Sequence, residues 1–587
     1  MLETEASPGS GVRSAEPGRT DERSPGRRLL IPLLVAGYLA NVLLRIWLTH
    51  RITLPIAHTD EDSYLNTARV FAGGPGGYSS ENNLLRRVGY SWLISPAFLG
   101  GHSFGTSYRL VHVLNAIYNS TIFPLAYLFA RSALRMPWRR SFVLALAVGV
   151  MPATAFWSEL AMTDVMLAPL TVAWVLMIVL WLRRPASLWW SAGAAAVAGV
   201  YYMIHVRGLV ILAVHLGLVL VLAIARQIRF RSLVVAVVTA VALVAVHQGL
   251  VISLGDKLYL AGDANVAASA AKQFSSGSLA KIMTLIIGSQ LWYVSAATFG
   301  LVVLGWLFGL RIVRRREEPS SLRWAMAAGL TATIGVIVGC ALLLATTPSA
   351  TKDLIYARYI EAFAPLWTLV GVAGLTAVRR VTARWWMLFT AAAVLLSGLL
   401  EQLRLDRVVA KGGRLGHGLF SAPEMIAVER FGPVEPLYFS ALMLAVGVVV
   451  FLLVRGVPER WSRRDGLWIA GLVLVLVANV AMLAGLRPST AGQLARVTPT
   501  PTLAALGVSE GDRIYATRNA PRILMLNLAH PVTWDNVRII ENDVPPPADA
   551  EYVIAVWNPA RVTWNGEQYG FKYVGGNVGQ NWALWRR

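Results

Sequence analysis

Residues 163–182 read TDVMLAPLTVAWVLMIVLWL and are followed directly by Arg183 and Arg184. After the opening Thr-Asp pair, eighteen residues carry no charge. An α-helix needs about 20 mostly apolar residues to cross a hydrocarbon layer. A run of this length that ends in two arginines predicts a transmembrane helix whose basic end lies in the cytoplasm.

Apolar runs of comparable length recur along the rest of the chain. They predict thirteen transmembrane helices, at residues 29–49, 107–130, 141–157, 163–182, 187–205, 208–225, 232–254, 290–310, 324–346, 354–378, 385–402, 437–454 and 466–486. The expected fold class is therefore an all-α polytopic membrane protein, completed by a small α/β domain at the C-terminal end.

The composition agrees with a membrane protein and limits the function classes. Of the 587 residues, 56% are hydrophobic and only 14% are charged, whereas soluble domains average about 25% charged residues. The formal net charge is nevertheless +21, which in a soluble protein would suggest nucleic acid as a partner. The single cysteine, Cys340, excludes an intrachain disulfide and a cysteine-rich metal site.

The positive charge is concentrated in the short loops that would lie inside the cell. If residues 1–28 form a disordered cytoplasmic tail, every second connection between the predicted helices is basic. These inside segments together hold 26 arginines and 9 acidic residues. The excess is therefore a topology signal and does not indicate nucleic acid. It predicts that the N-terminus lies inside and the C-terminus outside.

The long connections lie on the opposite face of the predicted membrane domain, residues 29–486. They are the outer loops 50–106, 255–289 and 403–436, followed by the tail 487–587. Short β-like runs in this tail, at 513–517, 533–540, 552–557 and 570–574, are separated by Pro and Gly clusters and predict a small extracytoplasmic α/β domain. Because all long loops lie on one face, we expect any chemistry to face outward.

The first outer loop contains the acidic cluster His58-Thr59-Asp60-Glu61-Asp62-Ser63-Tyr64. One interpretation is ordinary helix capping, with Thr59 as the N-cap and the acids in a first turn that the helix dipole stabilises. The other is that one acid is a catalytic base or a metal ligand in a cavity at membrane level. Both stay open on this segment alone.

The stretch from Thr59 to Arg69 resembles the Asp-Glu-x-x-Tyr-x-x-x-Ala segment of the membrane glycosyltransferases of the C superfamily. It is most similar in style to the branch with the protein O-mannosyltransferases and the aminoarabinose transferase of lipid A. Three further stretches are similar to motifs of this family, in the same order and on the same predicted face: 87–96, 152–170 with Glu159 and Asp164, and 357–365 with Arg358 and Tyr359. The chain departs from the family at Ser91, where proline is usual.

The resemblance implies transfer of a sugar from a polyprenyl-phosphate donor to a hydroxyl of a glycan, lipid or protein. Inverting displacement needs one base for the acceptor proton, and a phosphate leaving group needs no strong acid. We expect Asp60 to be this base, with Glu61 as the substitute. Asp164 is expected to orient the acceptor or share its proton, and Glu159 competes for that role. The alternative for these acids is interfacial helix capping.

Fixed positive charge is expected beside the leaving phosphate, where negative charge develops. Arg358, at the outer start of the tenth predicted helix, is the first candidate, and its alternative interpretation is a snorkelling arginine. Weaker candidates at similar depth are Lys352, His205 and Arg207. Tyr64 and Tyr359 are further candidates for orienting the acceptor, although Tyr359 could equally be an interfacial belt aromatic.

A divalent metal is a weakly supported partner. His58, Asp60 and Asp62 could bind a hard ion, but the sequence supplies no second cluster that converges on them. No cofactor is therefore assigned. The expected partners are membrane lipids, a polyprenyl-phospho-sugar donor and a cell-envelope acceptor.

The alternative function is a transporter or flippase of lipid-linked sugars. It predicts ionisable residues near the bilayer midplane, broken helices and two halves related by a repeat. The polar residues lie instead at one predicted face, which favours the enzyme. The chain has many arginines and only 6 lysines, which is typical of a high-GC bacterium, so we expect a bacterial cytoplasmic membrane location.

Overall fold

The computed structural model describes residues 27–58, 60–74, 87–258, 278–345, 355–456, 464–509, 511–532, 537–557 and 564–587. The α-helices are α1 (Arg27–Thr49), α2 (Asp60–Phe71), α3 (Gly89–Ile94), α4 (Phe104–Ser120), α5 (Ile122–Leu128), α6 (Trp138–Gly149), α7 (Pro152–Ala155), α8 (Asp164–Arg183), α9 (Leu188–Ile204), α10 (Gly208–Ile224), α11 (Phe230–Leu258), α12 (Ser278–Ala297), α13 (Leu301–Arg314), α14 (Ser320–Ala345), α15 (Arg358–Glu361), α16 (Ala364–Ala377), α17 (Arg380–Ala410), α18 (Pro423–Glu429), α19 (Pro436–Phe451), α20 (Arg464–Val497) and α21 (Arg522–Ala529). The strands are β1 (Ile514–Thr517), β2 (Arg538–Ile540), β3 (Tyr552–Ala555), β4 (Lys572–Asn577) and β5 (Trp582–Arg586).

Within the described part of the chain, eight helices are long and apolar enough to cross a membrane. They are Arg28–Thr49, Phe104–Ala133, Asp164–Arg183, Phe230–Leu254, Ser320–Ala345, Arg380–Ala410, Pro436–Arg455 and Gly466–Val497. The number rises to ten if each of two bent helix pairs is one span, and three predicted spans coincide with the shorter helices α9, α10 and α16. A mostly helical protein with many apolar spans is therefore confirmed, whereas the count of thirteen and the orientation stay predictions.

The two bent pairs show where an apolar run does not form a straight helix. Trp138–Gly149 and Pro152–Glu159 meet at 59°, because Pro152 lacks a backbone N–H and begins a new helix. Ile282–Ala297 and Leu301–Arg314 meet at 104°, and Gly300 between them has a φ of +78°, a conformation that favours glycine. The first bend leads directly into the segment that carries Asp164.

Close packing of α13 against α16 fixes the chain that follows Arg358. A Cβ atom on Gly305 would lie 2.0 Å from the carbonyl oxygen of Trp367, and one on Gly371 would lie 2.2 Å from that of Leu301. Glycine is required at such crossings because the two backbones are in contact, and small residues are typical of packed membrane helices. Since α15 immediately precedes α16, this contact also limits the movement of Arg358.

The C-terminal region forms a five-stranded sheet of order β2-β1-β3-β5-β4. β1 is parallel to β2 and β3, whereas β5 is antiparallel to β3 and β4. The predicted β-like runs overlap β1 to β4, and the small C-terminal sheet is confirmed. The sequence prediction missed β5. Trp582 and Leu584 pack in one apolar cluster and Ala583 and Trp585 in another, so this strand is buried on both faces and lacks the polar alternation of a half-buried strand.

The C-terminal region contacts the loop that precedes α2. Asn527 Nδ2 donates to the carbonyl oxygens of Pro55 and Val497, at 3.2 and 3.0 Å. His530 Nε2 lies 2.9 Å from Asp62 Oδ1, and its ring stacks on Phe104 with the centroids 4.7 Å apart. On the other side, His58 Nδ1 lies 2.8 Å from Asp62 Oδ2. The buried Asp62 carboxylate therefore joins the two parts of the chain.

We expect His530→Ala to loosen the C-terminal sheet by about 1–3 kcal/mol, because Asp62 would keep a buried carboxylate oxygen without its partner. Hydrogen exchange of β1 to β5 should become faster at neutral pH. His417→Ala is the matched control, since His417 pairs with Glu429 away from this contact. Unchanged exchange in His530→Ala would show that the contact does not hold the sheet in place.

The same contact should weaken in acid. Burial would raise the pKa of Asp62, but the charge of His58 and the hydrogen bond to His530 outweigh it and hold this pKa below its usual range. Asp62 therefore stabilises the folded state above its unfolded-state pKa of about 4, and the contribution is lost as the pH falls from there toward the folded-state value. Hydrogen exchange of the sheet should rise in that window in wild type and change less in Asp62→Asn.

Candidate active site

Arg358 bridges two carboxylates that are distant in the sequence. Its Nη1 donates to Asp60 Oδ2 at 2.8 Å, while its Nη2 and Nε donate to Asp164 Oδ2 at 2.7 and 3.0 Å. Arg207 approaches the other oxygen of the same acid, with Nη2 2.9 Å from Asp164 Oδ1. Four of the predicted site residues therefore form one ion-pair network, in the order Asp60, Arg358, Asp164, Arg207.

Helix ends position these side chains. Asp60 begins α2 and Asp164 begins α8, where the helix dipole favours a negative charge. Arg358 begins α15. Arg207 lies in the turn between α9 and α10, and its backbone N–H donates to His205 Nδ1 at 3.0 Å. The capping interpretation of the acids is thus compatible with a shared site.

Burial distinguishes the members of the network. The Asp60 side chain is 22% exposed, whereas those of Asp164 and Arg207 are 3% and 2% exposed. Burial would lower the pKa of Arg358, but the carboxylates of Asp164 and Asp60 raise it well above its usual value. Both arginines therefore stay charged, and Asp60 is the carboxylate of this network that a substrate can reach.

Aromatic rings support the two guanidinium groups. Arg358 lies 5.4 Å from the ring centroid of Trp157, and Arg207 lies 4.6 Å from that of Tyr359. Trp157 Nε1 also donates to Glu361 Oε2 at 2.9 Å. Neither Trp157 nor Glu361 was predicted from the sequence to belong to the site. The available signal was an acid three residues after Arg358, inside an otherwise apolar run.

A second pair of carboxyl groups lies buried near the network. Glu424 accepts a hydrogen bond from the Tyr293 hydroxyl, and burial raises the pKa of Glu424 to about 7. Burial, together with the charge of Glu424, raises the pKa of Glu361 well above its usual range. The acids that contact Arg358 directly in the described residues are Asp60 and Asp164.

Glu61 has different surroundings from Asp60. Its carboxylate accepts four hydrogen bonds of 2.7 to 2.8 Å, from the backbone N–H groups of Ile56, Ala57 and Ala161 and from the Tyr108 hydroxyl. The residue is fully buried, so neither oxygen faces a substrate in this arrangement. Glu61 instead joins the chain before α2 to the chain before α8, and so helps to position Asp60 and Asp164.

We expect Glu61→Gln to lower the stability by about 1–3 kcal/mol, because the amide group would turn a donor toward donors and leave a buried group unsatisfied. At a temperature where the variant is folded, its transfer rate should stay within about tenfold of wild type. Loss of a residue that only positions Asp60 should slow transfer less than loss of the catalytic base itself. Thermal unfolding and transfer rate of one preparation check this. A loss of activity as large as that of Asp60→Asn, without a fall in melting temperature, would instead support Glu61 as the substitute base.

The other predicted residues occupy separate positions. Glu159 lies outside the network, with Oε2 accepting a hydrogen bond from Thr490 Oγ1 at 3.3 Å. The Tyr64 ring packs edge-on against Tyr90 at 5.4 Å. Lys352 lies outside the described residues.

The three metal candidates do not converge. His58 and Asp62 bind each other, whereas Asp60 binds Arg358. In the part of the chain that the structure describes, no group of three or more His, Cys, Asp or Glu side chains is arranged to hold a metal ion.

A cavity of about 370 Å³ contains His205 in its wall. Its other lining residues are Tyr64, Arg87, Val206, His247, Gln248 and Val251. The guanidinium of Arg87 lies 4.1 Å from the Tyr202 ring centroid, which holds its charge beside the cavity. Arg87 therefore gives the cavity wall one fixed positive charge. Arg87 is the first residue of the motif-like stretch 87–96, but it was not predicted from the sequence to belong to the site.

Comparison with known proteins identifies the fold. No protein-family model and no curated protein matches the sequence. The structure is similar to that of ArnT from Cupriavidus metallidurans, solved bound to undecaprenyl phosphate and in the apo state, with a TM-score of 0.51 and 16% identity over 95% of this chain and 97% of that chain. The arabinosyltransferase EmbB from Mycobacterium smegmatis aligns with a TM-score of 0.42 and 14% identity, over 83% of this chain and 43% of that one. The likeness to ArnT shows that the two chains share a fold, and that shared fold is the one the predicted resemblance implies.

Proposed function

We propose that this protein transfers a sugar from a polyprenyl-phosphate-linked donor to a hydroxyl of a glycan, lipid or protein acceptor on the outer face of a bacterial cytoplasmic membrane. The observation that carries the proposal is the partly exposed Asp60 carboxylate, held 2.8 Å from an arginine that a second, buried carboxylate fixes in place. A base beside a positive charge is what displacement of a phosphate requires. The fold shared with ArnT, whose structure contains undecaprenyl phosphate, supports the choice of donor.

The proposed step is a single inverting displacement. The acceptor oxygen forms a bond to the anomeric carbon as the bond from that carbon to the phosphate oxygen breaks. The acceptor proton passes to Asp60, and the products are the glycosylated acceptor and polyprenyl phosphate. Asp164 holds Arg358 in place. A direct part of Asp164 in orienting the acceptor or sharing its proton stays a prediction from the sequence.

The donor phosphate has two sources of positive charge in this arrangement. Arg358 can turn part of its hydrogen-bonding capacity from Asp60 to an incoming phosphate, which would leave the Asp60 oxygen available for the acceptor proton. The cavity with Arg87, His205 and His247 can hold the phosphate before or after transfer. Arg207, paired with the buried Asp164, contributes mainly by fixing that acid, and Lys352 stays a candidate from sequence.

A flippase of lipid-linked sugars is the second candidate, and one observation favours it. Two helix pairs are bent by 59° and 104°, and a transporter is expected to contain broken helices of this kind. Against it, the ion-pair network is built at the first residues of three helices and in one turn, which suits a site at one end of the bundle.

The deciding experiment gives purified protein in proteoliposomes a panel of polyprenyl-phospho-sugars and cell-envelope acceptors. Formation of free polyprenyl phosphate together with a glycosylated acceptor would support the transferase. Movement of the intact lipid-linked sugar to the opposite leaflet, with no cleavage of the sugar–phosphate bond, would overturn it in favour of the flippase.

A further inference from the structure

A second large cavity, of about 720 Å³, has Glu159 in its wall. It is formed by the end of α1, the last turns of α20 and the segment that follows α20. Its apolar wall includes Leu48, Ile52 and Leu494, and its polar groups include Arg51, Glu159 and Arg487. The cavity volume is suited to a small molecule or a lipid headgroup. The ion-pair network described above contributes no residue to it.

Two arginines give this cavity a fixed positive charge. The guanidinium of Arg487 lies 4.0 Å from the centroid of the Trp47 ring, so a cation–π contact holds it in place. Arg51 is exposed at the end of α1, and its Nε donates to His50 Nε2 at 3.2 Å. Two arginines that line one cavity are suited to bind a phosphate group there.

Glu159 supplies a buried acceptor that the fold does not use. The residue is 1% exposed, and its Oε2 accepts a hydrogen bond from Thr490. Among the described residues, no donor lies within hydrogen-bond distance of its Oε1. Nearly all buried polar atoms of folded proteins have a partner. The unused oxygen in the wall of the cavity therefore points to a ligand that carries a hydrogen-bond donor.

We propose that this cavity binds the headgroup of an anionic phospholipid that bears hydroxyl groups. The phosphate would pair with Arg51 and Arg487, and a headgroup hydroxyl would donate to Glu159 Oε1. Charge favours an anionic lipid. The two arginines and Glu159 have a net charge of +1, or of +2 when Glu159 is protonated. A zwitterionic headgroup has no net charge and would leave this positive charge uncompensated. This site goes beyond the proposed function and does not depend on it.

The walls of the cavity favour a lipid over a soluble phosphate. The span Arg28–Thr49 ends between Leu48 and Arg51, and the span Gly466–Val497 contains the lining residues from Arg487 to Ala495. Apolar side chains of both spans, among them Leu48 and Leu494, thus line the same cavity as the arginines. A diacylglycerol moiety can cover such a wall, whereas inorganic phosphate or glycerol phosphate would leave it in contact with water.

Native mass spectrometry of the purified full chain, titrated with phosphatidylglycerol, phosphatidylethanolamine, glycerol 1-phosphate or inorganic phosphate, tests the proposal. Phosphatidylglycerol should bind at least about 10-fold more tightly than phosphatidylethanolamine, and Arg487→Gln should weaken it by about 10-fold, as expected for one lost charge-assisted contact. Arg496→Gln, an exposed arginine further along α20 that does not line this cavity, should leave binding unchanged.

Glu159→Met tests the hydroxyl contact, because it removes both oxygens at nearly constant size. It should abolish the preference for phosphatidylglycerol over phosphatidic acid, which lacks the headgroup hydroxyls, while phosphatidic acid still binds. If Arg487→Gln and Arg496→Gln weakened the binding of phosphatidylglycerol equally, the assignment of the cavity would be overturned. Binding of inorganic phosphate or glycerol 1-phosphate in place of the lipid would overturn the assignment of the ligand.

Discussion

Replacement of Asp60 by Asn is expected to slow sugar transfer by about 10²- to 10⁴-fold, the usual contribution of a general base. The amide keeps the size of the side chain and can still accept a hydrogen bond from Arg358, but it cannot take the acceptor proton. The fold should be retained, because Asp164 continues to hold Arg358 through two contacts. Single-turnover transfer from a saturating donor measures the loss at the chemical step.

Two comparisons make this result specific. Asp543→Asn removes an exposed carboxylate in the C-terminal region and should transfer sugar at the wild-type rate. Asp60→Asn should also bind the donor at least as tightly as wild type, because one carboxylate that competes with the phosphate for Arg358 has lost its charge. Full activity of a folded Asp60→Asn protein would remove Asp60 from the mechanism and direct attention to Asp164.

Asp164→Asn is expected to have the largest effect on stability, a loss of about 3–5 kcal/mol, because it leaves two buried arginines to share the single partly exposed Asp60. Transfer should be lost as well, since Arg358 would no longer be held between two acids. The melting temperature in detergent and the transfer rate are the measurements. Glu541→Gln is a matched control, because Glu541 also pairs with an arginine, Arg518, but is 55% exposed. A change of about 0–1 kcal/mol is expected there.

A double variant separates the charge effect from the catalytic effect. Asp164→Asn combined with Arg207→Gln restores the charge balance of the network. We expect it to regain part of the lost stability and none of the transfer activity. If the single Asp164→Asn protein melted at the wild-type temperature, the network would not be the buried structure described here.

The sequence predicted the helices well because each apolar run must lie in a membrane or in a core, and every predicted span coincides with a helix or a bent pair. It could not predict the bends. Pro152 is visible in the sequence, but whether the two helices form one span depends on their neighbours. Likewise, β5 was missed because burial on both faces is a property of the assembled sheet.

The site was predictable residue by residue but not as an arrangement. Asp164 and Arg358 each precede an apolar run, Asp60 follows one, and their similarity to family motifs singled all three out. Their meeting could not be derived, since Arg358 lies 298 residues from Asp60 and 194 from Asp164. Glu61 and Asp60 are indistinguishable in sequence. Only the fold shows that one accepts four hydrogen bonds while the other remains accessible.

The contact between Asp62 and His530 also has a consequence for biosynthesis. The two residues are 468 positions apart, and a ribosome adds about 5–20 residues per second, so the acid emerges roughly 20–90 s before its partner. During that interval the helix that carries Asp60 lacks the support of the C-terminal region. A nascent chain in which His530 has not yet been made therefore lacks the contact that joins α2 to the C-terminal region.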